Sequence, residues 1–336
     1  MTHAELISWV EKHLDMKADN SLAPKQLEGR KAQKERITLA ICSNGDGSDK
    51  LPLWIIGKFW DPRCFRNLNG ENLGCRYRWN LKAWMTQVIF LEWIKWFDLR
   101  MAERKVLLIL DNCSAHIRVN NLLELRNTTV RYLSSNTTSK IQPCDAGIIW
   151  NLKAYYHRRF NEKILMSLDS NISYPEKIDI LEGYQMAVAA WTLDVKPETI
   201  SNCFHHCQIC SKYTRLPRVT KDMVEPAAEV ISELESQIRR FCYENPMNIR
   251  NLLNYPDEEV VTYKPSDEDI IAILKEPAVE IPGHEEEDDN EELPKICLDD
   301  AIFMLENLQH FWLQQEGVHT ENLLSIRSMM DDACRI

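Results

Sequence analysis

Val106-Leu107-Leu108-Ile109-Leu110-Asp111-Asn112-Cys113-Ser114-Ala115-His116 is the stretch on which the fold turns. Five aliphatic residues run without alternation, as in a strand covered on both faces. A carboxylate and small polar residues then end the run. A second stretch, Ile141-Gln142-Pro143-Cys144-Asp145, closes on another aspartate just before a long helical pattern. In that pattern, which reaches about Met166, Ile148, Ile149, Leu152, Tyr155, Tyr156 and Phe160 fall on one side. Two carboxylates at the ends of rigid elements are hard oxygen ligands, suited to Mg²⁺ or Mn²⁺. A pair of such ions can bracket a phosphate, which usually needs a third carboxylate.

Working outward, Arg36 to Cys42 reads as a strand and Asn44-Gly45-Asp46-Gly47 as a turn. Leu51 to Ile56 is the returning strand, ended by Gly57. Residues 61–80 look irregular. Thr86 is a candidate N-cap for a helix with Ile89, Phe90, Trp93, Ile94 and Phe97 on its apolar face. A helix is expected over Asn120–Leu125 and a short strand over Val130–Leu133. A right-handed crossover sets that strand beside Val106–Leu110, with the hairpin on the other side. Asp111 then lies at the C-terminal end of a central strand, where open α/β sheets bind ligands. At the start of the chain, Leu6, Val10 and Leu14 recur at helical spacing, so residues 1–20 are expected to be helical.

Residues 1–220 carry 31 Lys and Arg against 23 Asp and Glu, whereas residues 221–336 carry 9 against 28. The overall net charge of -11 therefore combines a mildly basic body with an acidic tail. A hydrophobic share of 44%, with 10 Trp and 10 Tyr, suits a packed core. Eleven cysteines without framework spacing read as reduced thiols. No apolar run approaches the roughly 18 residues of a membrane span. The expected organisation is a core over 1–170 with an incomplete first strand, a helical continuation over 171–250, an acidic linker over 251–297 and C-terminal helices over 298–336.

The linked motifs resemble those of the pogo/Tigger transposases, the group of DDE endonucleases that includes centromere protein B. Leu107 to His116 is similar to the second-aspartate motif. Asn136-Thr137-Thr138-Ser139-Lys140-Ile141-Gln142-Pro143-Cys144-Asp145-Ala146-Gly147 is similar to the third-aspartate motif, followed by Lys153-Ala154-Tyr155-Tyr156. Lys34 to Thr38 and Leu51 to Lys58 resemble the family's hairpin, and Asn80 to Thr86 the entry to its next helix. The resemblance implies an α/β fold, a ribonuclease H-like mixed sheet flanked by helices, with a helical C-terminal extension. It also implies Mg²⁺- or Mn²⁺-dependent DNA cleavage and strand transfer, and a nuclear protein, with the cytoplasm as the alternative. Asp111 and Asp145 become the second and third catalytic and metal positions.

The family's first aspartate sits in an Asp-Glu-Thr/Ser motif on the first strand. Counting back from Ser21-Leu22-Ala23-Pro24 lands near Ser8-Trp9, where no such motif stands. Glu5, Glu11, Asp15 and Asp19 are nearby, and Asp15 is a weak candidate for the vacant position. The expected function is a transposase-derived DNA-binding protein with a degenerate triad. The alternatives are an active metal-dependent endonuclease and a domesticated protein-interaction module. Lys153, Arg158 and Arg159 are candidates for a DNA groove, though surface solubility explains them equally. The helices within 298–332 are candidates for self-association or a protein partner. His116 could act near phosphate or pack a turn. Cys203, Cys207 and Cys210 have a spacing that invites zinc, but helical spacing accounts for it more simply.

Overall fold

The computed structural model describes residues 5–15, 36–111, 116, 124–133, 141–170, 178–209, 219–220, 223–241, 248–253 and 292–335; for 5–15, Arg36 and Glu71 only the backbone is described. Residues 120–123 of the helix expected at Asn120–Leu125, the loop at 136–139, Cys210 and the centre of the acidic linker lie outside these residues, and Glu124 and Leu125 are not helical. The chain divides into two compact units, Met1–Cys64 with Asn69–Glu291, and Phe65–Leu68 with Glu292–Ile336.

The first unit is a mixed α/β body built on a six-stranded sheet. Its strands are β1 (Glu5–Asp15), β2 (Arg36–Asn44), β3 (Leu53–Gly57), β4 (Cys75–Trp79), β5 (Val106–Leu110) and β6 (Thr128–Tyr132), in the spatial order β4-β3-β2-β1-β5-β6. β2 runs antiparallel to β1 and β3, whereas β4 is parallel to β3, and β1, β5 and β6 are parallel neighbours. The C-terminal ends of every strand except β2 therefore share one edge of the sheet.

The expectation for the chain start is overturned. Glu5–Asp15 is a strand, not a helix, and it is paired on both sides, to β2 along nine residues from Ile7 to Asp15 and to β5 from Glu5 to Ser8. The first strand is thus present and central. The spacing Leu6, Val10, Leu14 misleads because four is both close to one helical turn and a multiple of the strand period of two. Backbone pairing with two neighbours decides between them. Residues 61–80 are also more regular than expected. Cys75-Arg76-Tyr77-Arg78-Trp79 alternates as an edge strand should and adds β4 beside β3.

α1 (Gln87–Arg100) lies on one face of the sheet, with the Thr86 hydroxyl accepting from the Ile89 amide at 3.3 Å as its N-cap. Phe90, Trp93, Ile94 and Phe97 meet Trp54, Ile56, Val106, Leu108, Leu110 and Val130 in one buried cluster. The alternate residues Ile37, Leu39, Ile41, Leu53 and Ile55 are buried as well, so both faces are covered. α2 (Ile149–Asp169), α3 (Ile180–Ala189), α4 (Pro197–His206), α5 (Ala228–Arg240) and α6 (Ile249–Leu253) complete the unit. α3 reaches the sheet edge through Tyr184, whose ring lies 5.7 Å from that of Tyr77.

The second unit is built around α7 (Leu298–Gln314) and α8 (Thr320–Ala333), which pack against each other. Among its described residues Ile326 is buried, while Phe303, Met304, Leu308, Phe311 and Leu324 are exposed. Among the described residues, no helix is long and apolar enough to cross a membrane.

Candidate functional site

Asp111 follows the last residue of β5 and is half-buried at the shared C-terminal edge. Its carboxylate oxygen lies 2.6 Å from Nδ1 of His116, whose side chain is fully buried. The imidazole stacks obliquely on Phe90 of α1, with ring centroids 4.8 Å apart. Phe90 thus fixes the ring, and the ring fixes the carboxylate. This contact joins two side chains in an Asp-x4-His spacing. His116 therefore holds the Asp111 carboxylate while packing against Phe90.

Asp145 lies in a π-helical turn, Cys144–Ile148, that leads into α2. The turn packs on β1. Cys144 comes close enough to Cys42 of β2 to help burial, the larger effect, push the Cys42 thiol well up. Cys42 pairs with Trp9 in β1. On the other side, Cys207 at the end of α4 has its thiol pushed up to about 11, first by burial and then by the Asp145 carboxylate. Thiols held protonated this way are poor nucleophiles and poor metal ligands.

Gly147 shows why Asp145-Ala146-Gly147 reads as it does. A Cβ built there would lie 2.3 Å from the Val224 carbonyl oxygen and 3.0 Å from Cys203 Sγ. Asn151 Nδ2 donates to the carbonyls of both Gly147 and Val224, at 2.9 Å each. Backbone approaches backbone here, and only a residue without a side chain fits. The turn that carries Asp145 is thereby clamped between β1, α4 and residue 224.

The register of β1 tests Asp15 as the remaining ligand. Ser8 pairs with Ile109, so extending the register by two residues brings Val10 level with Asp111. Asp15 stands five residues farther along β1, roughly 16 Å away at about 3.3 Å per residue. An ion ligated at about 2.0–2.1 Å, as Mg²⁺ is, does not bridge that separation. Among the described residues, no three His, Cys, Asp or Glu side chains gather into a group fit to hold a metal ion.

The DNA-groove candidates Lys153, Arg158 and Arg159 all lie on α2. Lys153 is buried at 4% exposure. Arg158 and Arg159 both pair with Asp194, at 3.3 and 2.8 Å, and Arg158 also approaches Glu233 at 3.7 Å. These arginines tie α2 to the turn Ala190–Asp194 and to α5. Cys203 on α4 and Cys207 at its C-terminal cap are buried, as the helical reading of that segment expected.

Sequence reasoning missed Asp98, at the end of α1. Its two carboxylate oxygens accept from the backbone amides of Arg126, Asn127 and Thr128 at 2.9–3.0 Å, and its carbonyl accepts from Asn127 Nδ2 at 2.9 Å. It fastens the loop that feeds β6, and nothing local in the sequence announces a partner thirty residues away.

The sequence profile of the DDE superfamily endonucleases matches residues 34–204. ARS-binding protein 1 of Schizosaccharomyces pombe is 32% identical over 89% of this chain and 58% of its own length. CENP-B homolog protein 2 of the same yeast is 29% identical over 93% of this chain and 62% of its own. Mouse Tigger transposable element-derived protein 4 is 32% identical over 60% of this chain and 37% of its own. The chain spans about three fifths of the length of the two yeast relatives. With the matched profile covering just over half of its residues, this chain belongs to the DDE superfamily endonucleases, among the transposase-derived proteins of the pogo/Tigger type.

Proposed function

We propose that this chain is a transposase-derived, DNA-binding protein on a ribonuclease H-like body whose cleavage chemistry is lost. The observation that carries the proposal is the sequence of β1 in its register. This central strand runs beside β5. The family's first acid is expected near Ser8-Trp9, and Ser8 is a hydroxyl residue. Asp111 and Asp145 keep the second and third positions. Two carboxylates without the one that normally contacts both ions leave an incomplete cage for Mg²⁺ or Mn²⁺.

DNA as the partner is supported by the basic balance of residues 1–220 and by a relative named as ARS-binding. The nucleus is the compartment this reading implies. The exposed Phe303, Met304, Leu308 and Phe311 of α7 support a protein partner or self-association through 298–332.

Binding of a fluorescein-labelled 30-bp duplex of arbitrary sequence, followed by anisotropy, tests the reading. The expected result is micromolar binding in 50 mM salt that weakens at least tenfold in 200 mM salt as phosphate counterions are released. Absence of binding at 50 mM salt would overturn it.

A further inference from the structure

We propose that the far end of the same sheet edge, after β3 and β4, is a stacking platform for unpaired nucleotides of a strand that passes on toward Asp111. The inference rests on the DNA-binding reading above and names a surface and a chemistry for it. β3 ends at Gly57, which pairs with Trp79, the last residue of β4. The two parallel strands release their chains side by side. Lys58 and Trp60 follow the first, and Lys82 and Trp84 follow the second.

Trp60 is 58% exposed, an unusual state for the largest apolar side chain in a body that buries Trp54 and Trp93. Trp79 and Trp84 are half-exposed, and Lys58 and Lys82 are exposed. Lys82 Nζ lies 5.9 Å above the Trp84 ring. Interleaved cations and aromatic faces are the composition of surfaces that hold single strands, with the cations on phosphates and the rings on bases.

The loop after β4 is also held in place before any ligand arrives. The Asn80 side-chain oxygen accepts from the amides of Lys82 and Trp84, both at 3.1 Å, and its amide donates to the Trp84 carbonyl. Thr38 Oγ1 donates to the Ala83 carbonyl at 2.6 Å. Ala83 itself is held at φ 52, in the left-handed region. That conformation costs a non-glycine residue energy, which the surrounding hydrogen bonds offset.

Orientation makes the two places one surface. β3, β4 and β5 point the same way, so this loop pair and Asp111 lie along one edge. Through the registers, Lys58 stands three strand spacings across and about five residues along from Asp111. That is roughly 20 Å, or about six nucleotide steps. A strand lying along the edge touches both.

The test uses the intact chain with a 20-nucleotide oligodeoxythymidine and, separately, a 20-bp duplex. The oligonucleotide is expected to quench tryptophan fluorescence. Trp60→Ala should weaken its binding about tenfold, the loss expected from one stacked base. Lys82→Ala should lower the salt slope by about one. Unchanged far-ultraviolet circular dichroism identifies folded variants. Oligonucleotide binding by both variants equal to the parent's, or a parent that binds the duplex and not the oligonucleotide, would overturn the platform and leave the DNA-binding reading intact. Binding of neither nucleic acid by the parent overturns both.

Discussion

Acidification from pH 7 to pH 5 is expected to cost the native state about 2 kcal/mol through His157 alone. His157 is fully buried on α2, and its pKa is depressed to about 3, first by burial and then by the neighbouring Lys153 ammonium. The unfolded side chain titrates near 6.5. Between the two values the unfolded state binds the proton and the native state does not. Stability is therefore full above about pH 6.5 and declines steadily as the pH falls toward 3. Urea midpoints of the parent and of His157→Phe, measured at both pH values, check this. The variant should lose about 2 kcal/mol less than the parent, with His157→Gln as the second choice where the ring change disturbs folding. Equal losses in parent and variant would contradict it.

Asp98→Ala should be among the most damaging single changes away from the aromatic core, by about 3–5 kcal/mol. It strands three backbone amides that the carboxylate now satisfies, each at a cost of about 1–3 kcal/mol, partly relieved by water. Asp98→Asn should cost about 1–2 kcal/mol, since an amide oxygen still accepts but without charge. Burial opposes ionisation of Asp98, yet the Arg126, Asn127 and Thr128 donors prevail and hold its pKa below the usual value. Its stabilisation is present above an unfolded value near 3.9 and is lost as the pH falls through the lower folded value. It does not contribute to the pH 7 to 5 change assigned to His157. Thermal or urea unfolding of both variants at pH 7 reads the effect, and a loss under 1 kcal/mol for Asp98→Ala would refute the assignment.

Much of the body was legible because local signals agreed with one another. The Asn44-Gly45-Asp46-Gly47 turn, the Thr86 cap and the unalternating run Val106–Leu110 each had a single reading, and the structure places β2, β3, α1 and β5 there. β1 was not legible because Leu6, Val10 and Leu14 satisfy both periods, and its strand state depends on partners thirty and a hundred residues away. The positions of Asp111 and Asp145 followed from linked motifs. Their surroundings did not. Nothing in the sequence says that Phe90 backs His116, that Asp194 occupies Arg158 and Arg159, or that Val224 clamps Gly147. Those are contacts between distant segments, fixed only once the sheet and helices are assembled.

The central claim is a DDE body without nuclease activity, and Mn²⁺-dependent nicking of supercoiled plasmid tests it most directly. The chain is compared with Asp111→Ala, and with Asp111→Asn, which retains an oxygen for His116. The account predicts the same background nicking from all three proteins. Nicking by the parent that disappears in both variants would contradict it and restore an active site at Asp111 and Asp145.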